Sequence, residues 1–325
     1  MIRKTLHEIW PYLALAACAA AFPLVVRSTY VQFVGATIGL YAIMSLGLCL
    51  LLGYAGQASL GHAAFYGLGA YTSAILTTRY HTNPWLAMGA GIALTSAVAV
   101  VIGRPALKLH GHYLAMATLG FGVIVQIIFH EGGDFTGGFG GIAAIPPLRF
   151  GSLAIKGDTL NFLLIWALTI LALAISANVV HSRVGRALRA IHDSEVAAQA
   201  CGIDVSRFKL MVFVLSAMFA SVAGSLYAHY IGFISPDPFG LTFSVQLIVF
   251  VIVGGSRSVW GALLGAALMT IVGQQIERYE AIKDLNTVMY GLMMILFVIF
   301  MPAGLADVIR RATDRIGRKG VVVDG

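Results

Sequence analysis

Long apolar runs alternate with short polar stretches over most of the chain. The runs cover residues 10–27, 31–53, 58–78, 85–103, 112–130, 160–181, 210–230, 241–254, 261–277 and 287–303. Most of them approach the roughly 20 residues that a helix needs to cross a bilayer core. The pattern predicts an all-α, polytopic integral membrane protein with about ten transmembrane helices, some interrupted or half-length. The run at 241–254 is short for a full crossing, so it reads as a half-helix or extends into Gly255.

Composition agrees with the pattern. The 325 residues are 59% hydrophobic and only 11% charged, against about 25% charged in a soluble domain. The net charge is +7, and its placement orients the chain. With both termini inside, the cytoplasmic Lys and Arg are 3, 4, 104, 108, 183, 186, 189, 207, 209, 257, 310, 311, 315, 318 and 319. Only 27, 79, 149, 156, 278 and 283 fall outside. Lys and Arg favour the cytoplasmic side, so the reverse orientation is disfavoured. The map gives one transmembrane domain over 1–325, with a cytoplasmic loop at 182–209, a periplasmic loop at 131–159 and a cytoplasmic tail at 304–325.

Leu15-Ala16-Ala17-Cys18 looks like a lipoprotein cleavage site, but the apolar run continues to Val26 and further spans follow. A first membrane helix is the better reading. Cys18, Cys49 and Cys201 share no metal-type spacing, and no disulfide is inferred. Nothing suggests a basic groove with stacking aromatics, so nucleic acid is not an expected partner. Gly35-x-x-x-Gly39, Gly261-x-x-x-Gly265 and Ala70-x-x-x-Ala74 offer small-residue faces for helix packing.

One stretch breaks the apolar pattern: GYAGQASLGHAAFYGLGAY, residues 53–71. Gly53, Gly56 and Gly61 permit a departure from helical geometry, and Gln57, Ser59 and His62 bring polar groups to it. Backbone at membrane depth leaves the helix only where protein or a water-filled cavity covers it, and transporters set substrate paths beside such breaks. Two readings stand: an element that lines or gates a path, or a tight turn between helices at the cytoplasmic surface. A similar junction, VGGSRSVWGALLG, spans 253–265.

The loop SRVGRALRAIHDSEVAAQACGIDVSRFK, residues 182–209, holds a short helix signal. Asp193 or Ser194 is placed to cap it, Glu195 sits near its positive end, and Gly202 is placed to close it in a left-handed turn. Such a helix suits docking to a partner; a loop bound to lipid headgroups through Arg183, Arg186 and Arg189 is the other reading. Outside, the glycines between 132 and 141 loosen the loop and Pro146-Pro147 stiffens it. It reads as a mouth element or as a plain surface loop.

Residues 185–230, GRALRAIHDSEVAAQACGIDVSRFKLMVFVLSAMFASVAGSLYAHY, resemble the permeases of branched-chain amino acid ABC importers, the M-type subunit above all. GQASLGHAAFYGLGAYTSAIL at 56–76, HYLAMATLGFG at 112–122, TGGFGGI at 136–142 and VFVIVGGSRSVWGALLGA at 249–266 are similar to the same family. The resemblance implies a subunit of a bacterial inner-membrane importer. Its implied partners are a homologous second permease, two cytoplasmic ATPases and a periplasmic substrate-binding protein. It also implies a coupling helix with an E-A-A-x-x-x-G-type motif, which Glu195, Ala197, Ala198, Gly202 and Ile203 match, with Val196 inserted after Glu195. Arg186, Arg189 and Asp193 belong to the same expected ATPase-coupling surface. Related permeases also carry urea, short amides or small organic acids.

Other motifs are missing from the sequence. It has no G-x-x-x-x-G-K-[ST] run, so ATP and Mg are expected on partner ATPase subunits and no cofactor on this chain. It has no G-x-S-x-G or H-E-x-x-H motif, so no enzyme activity is expected. An ion-driven secondary transporter is the alternative of another class. It fits less well, because Glu131, Asp134 and Glu277 lie only at expected helix ends. The expected path or gate residues are Gly56, Gln57, Ser59, Gly61, His62, Thr118 and Gln246.

Overall fold

The structure, a computed structural model, describes residues 2–26, 28–109, 111–150, 153–155, 157–278, 286–300 and 304–307. Among the described residues, each apolar run of the sequence falls mainly on a helix. These are α1 (Ile2–Val25), α2 (Thr29–Leu48, continued by a π-helical turn at Cys49–Tyr54), α3 (His62–Thr78), α4 (Pro84–Ala106) and α5 (His112–Glu131). A short α6 (Gly133–Thr136) and a two-residue hairpin, β1 (Arg149–Phe150) with β2 (Leu153–Ala154), lie in the loop before α7 (Asp158–His181). Two polar helices follow, α8 (Arg183–Asp193) and α9 (Glu195–Ala200). The chain then returns to the bundle with α10 (Val205–Ile231), α11 (Leu241–Gly254), α12 (Val259–Glu277) and α13 (Asn286–Phe300). Most of the expected tail at 304–325 lies outside the described residues.

Six described helices are long and apolar enough to cross a membrane: Thr29–Tyr54, α4, α5, α7, α10 and Val259–Ile276. Two of the others are shorter for identifiable reasons. The run at 58–78 becomes helical only at His62, because 55–61 form the break. The run at 241–254 is a half-length helix, as its sequence length suggested. After α10 the chain dips back into the bundle through a 3-10 turn at Asp237–Phe239. There Phe239 packs on Tyr66 and Tyr71, and Ser244 accepts a hydrogen bond from the Ala63 amide at 3.0 Å.

The core is α2, α3 and α10. α3 and α10 run parallel: His62 meets Ser216, the Gly69 carbonyl accepts from Ser225 Oγ at 3.1 Å, and Ser73 meets His229 at 2.8 Å. The constant spacing of these pairs in the sequence shows the common direction. α2 and α7 also run parallel. Trp166 Nε1 donates to the Gly35 carbonyl at 3.0 Å and Thr169 Oγ1 to that of Gly39 at 3.1 Å, so this small-residue face serves helix packing. The second such face, Gly261 and Gly265, lies against Gly254 and the Phe250 carbonyl, which makes α11 and α12 an antiparallel pair. α4 and α5 turn large apolar side chains outward, including Leu86, Leu94, Val101, Met116 and Ile124. That surface suits lipid rather than water.

Candidate functional site

The chain leaves α-helical geometry inside the bundle. The π-turn ends at Tyr54, Gly56 takes φ of +68°, and α3 begins at His62. His62 touches Ser216, the twelfth residue of α10, about 16 Å along that helix from its start. The break is therefore buried in protein: Gln57, Ser59 and His62 are 6%, 1% and 0% exposed.

Each polar group there has a partner, as burial requires. Ser59 Oγ approaches His62 Nδ1 at 3.2 Å and the Gly61 amide at 3.4 Å, while His62 Nε2 bonds Ser216 Oγ. Thr118 Oγ1, on α5, accepts from the Leu60 amide at 3.0 Å. His229 bonds Ser73 and the Pro146 carbonyl, which fastens the long loop to α10. That loop is also bridged at Ile142 to Ile234.

The polar helices α8 and α9 pack directly beneath the break. Ser182 caps α8 by accepting from the Val184 amide at 3.0 Å, and Ala187, Leu188 and Ile191 are its buried side. Ser194, rather than Asp193, caps α9, accepting from the Ala197 amide at 3.2 Å. The far end closes at Gly202, with φ of +79°. The Gly202 amide donates to Gln199 O at 2.9 Å and the Ile203 amide to Ala198 O at 3.0 Å, the paired bonds of a left-handed helix stop. Ile203 packs with Ala198, Ile191 and Val205, seating the knob on α8 and α10.

This geometry brings most of the expected residues together. Gly56 packs on the His192 ring; a Cβ there would lie 2.9 Å from Nδ1. Gln57 Nε2 donates to Ala55 O at 3.0 Å and to Glu195 Oε1 at 3.4 Å. Arg189 and Asp193 line a cavity of about 210 Å³ with Gly53, Tyr54, His192 and Arg257. The Asp193–Arg257 pair, at 3.8 Å and largely exposed, is a weak surface contact. Arg186 is exposed on α8. Gln246 stands apart from this group. It lines a separate cavity of about 220 Å³ with Tyr41, Tyr66, Tyr227, Asp237, Pro238, Thr242 and Phe243.

Sequence reasoning missed Lys209. It placed this residue only among the cytoplasmic charges, with no partner, and the structure buries its side chain to 1% exposure with its Nζ 2.5 Å from Glu195 Oε1. The available signal was its place at the head of an apolar helix, FKLMVFV, where an ammonium must find a partner. Ser216 and the cavity tyrosines were missed too, since one hydroxyl inside an apolar helix does not announce its neighbour.

An interrupted bundle with an apolar outer surface, six described helices long enough to cross a bilayer and a buried polar break is that of a multi-pass membrane protein. The chain belongs to the family described as branched-chain amino acid transport system / permease component, whose profile matches residues 30–298. It is 32% identical over 320 residues to the high-affinity branched-chain amino acid transport system permease protein LivM of Escherichia coli, covering 91% of this chain and 74% of that protein. It is 28% identical over 292 residues to the corresponding LivH protein of Salmonella typhimurium, covering 84% and 94%. The BraD protein of Pseudomonas aeruginosa, another permease protein of such a system, is 26% identical over 294 residues, covering 83% and 93%. No solved structure matches the chain.

Proposed function

We propose that this chain is the membrane-spanning permease subunit of an ABC importer of the inner membrane, with both termini in the cytoplasm. It moves a small amino acid-like substrate, branched-chain or hydrophobic amino acids, into the cytoplasm. ATP and Mg act on two separate ATPase subunits; a homologous second permease and a periplasmic binding protein complete the assembly. The observation that carries this reading is α9. It is capped by Ser194, closed by Gly202, and turns Val196, Ala197, Gln199 and Ala200 outward beside the buried break. A short rigid knob of this kind suits an ATPase cleft.

The proposed path runs by the cavity of Tyr41, Tyr66, Tyr227, Asp237, Thr242 and Gln246, which opens on the flank formed by α2, α10 and α11. Thr242 and Asp237 are exposed there, so a second permease against this flank would enclose them. The break at Gly56–His62 would then act as the gate. Reconstitution in vesicles with the partner subunits tests the reading: uptake of leucine, isoleucine or valine should require ATP and the binding protein. Uptake driven by an ion gradient alone would mean a secondary transporter. Competition by urea, short amides or organic acids, but not by amino acids, would reassign the substrate.

A further inference from the structure

One carboxylate oxygen joins three elements. Glu195 Oε1, in the first turn of α9, accepts from Lys209 Nζ of α10 at 2.5 Å and from Gln57 Nε2 of the break at 3.4 Å. Lys209 is 1% exposed and Glu195 25% exposed, so this pair is largely shielded from water. An unpaired ammonium buried in apolar surroundings is strongly disfavoured, so Lys209 holds Glu195, and Glu195 holds the start of α9, against the bundle. Glu195 therefore points inward. Val196, 78% exposed, points out, which accounts for the inserted residue between the glutamate and the alanine pair.

We propose that Lys209 and Glu195 form, with Gln57, a positioning latch that transmits movement of α9 into the break at 55–61. This rests on the proposed importer function and assigns the coupling to a contact inside this chain. α9 alone is six residues long and does not reach the path. α10 passes the latch at Lys209 and meets the break again at Ser216 through His62. Gln57 also holds Ala55 O, on the other side of the turn at Gly56. A shift of Glu195 thus pulls on both sides of the break at once.

The test uses the assembled importer in vesicles, carrying Glu195→Gln, Lys209→Met, both together, or Gln57→Leu. Import per ATP hydrolysed should fall in each, by about two- to thirty-fold, the range over which single residues modulate coupling between sites. The double variant removes the buried ammonium that Glu195→Gln leaves without its carboxylate. Its thermal stability should return toward wild type while import per ATP stays low. A pair that serves only stability would recover both in the double variant, and that result overturns the latch. A loss of ATPase binding in Glu195→Gln with normal coupling in Lys209→Met would also overturn it, by making Glu195 a docking charge. Wild-type complex without ATP-driven uptake would overturn the importer reading, and the latch with it.

Discussion

Gly61 shows how little space the break leaves. Its φ is ordinary at −103°, so the need for glycine is steric rather than conformational. A Cβ would stand 2.6 Å from the Thr118 carbonyl and 3.2 Å from the Phe121 ring on α5. Gly61→Val therefore pushes α5 off the break and strains the Leu60–Thr118 bond, an overpacking cost of about 1–3 kcal/mol. Uptake should be lost while membrane insertion persists; normal transport at wild-type expression would sink the idea. His192 offers a second residue-scale test. Burial and the Arg257 guanidinium hold its pKa below the ordinary 6.5, with Asp193 opposing. Arg189 and Tyr54 share the same cavity. The folded chain then binds fewer protons at this ring than the unfolded chain. Its contribution is present above pH 6.5 and fades as pH falls below it. Thermal stability of the purified protein should drop on that acid side, and His192→Asn should flatten the drop; an unchanged acid slope in His192→Asn would remove the role.

At the scale of elements, α9 was the most legible. A cap at Asp193 or Ser194, an acidic first turn and a glycine stop are readable from a few consecutive residues, because caps are local chemistry; the structure selects Ser194. What they hold was not readable: the partner of Glu195 lies fourteen residues later, and Gln57 lies 138 residues earlier. The break was legible as glycine and polar groups, but whether it formed a surface turn or a buried interruption depended on α10 and α5 packing over it. Two changes separate the ends of the knob. Ser194→Ala removes a cap worth about 1 kcal/mol. Gly202→Val forces a β-branched residue into the left-handed region, at about 1–2 kcal/mol, and bends the stop. Substrate-stimulated ATP hydrolysis by the complex should fall in both, more in Gly202→Val, with the binding protein's affinity unchanged. If the loop only holds lipid headgroups, neutralising Arg183, Arg186 and Arg189 together should matter most, and Gly202→Val little.

For the whole molecule, hydropathy located the apolar helices because burial in lipid demands apolar length, while the polar helix α8, beside α9 in the 182–209 loop, left no such mark. Hydropathy did not reveal that α11 starts deep in the bundle, behind Phe239, or that Tyr41, Tyr66, Tyr227 and Asp237 share a cavity; those are consequences of packing between distant segments. Charge placement is the remaining global signal. Lys209 drops out of the surface count, since it is buried in its pair with Glu195. The bias nevertheless persists: Arg104 lies in the last turn of α4 and Lys108 just beyond it, at the end that packs near the start of α10, and Arg257 sits beside α8. Arg79 and Arg278 lie at the opposite ends of their helices, over the Phe135 and Tyr30 rings. Lys and Arg concentrate on the cytoplasmic side, so the α8–α9 end should be inside and the loop after α5 outside. Exposed Cys201 already marks the first end, and Phe139, 77% exposed, marks the second. In a Cys18→Ala background, a membrane-impermeant maleimide should label Cys201 only in inside-out vesicles. With Cys201→Ala added, Phe139→Cys should be labelled from the outside of intact cells after outer-membrane permeabilisation. Labelling with both sides exchanged would invert the chain and place α9 where no ATPase can reach it.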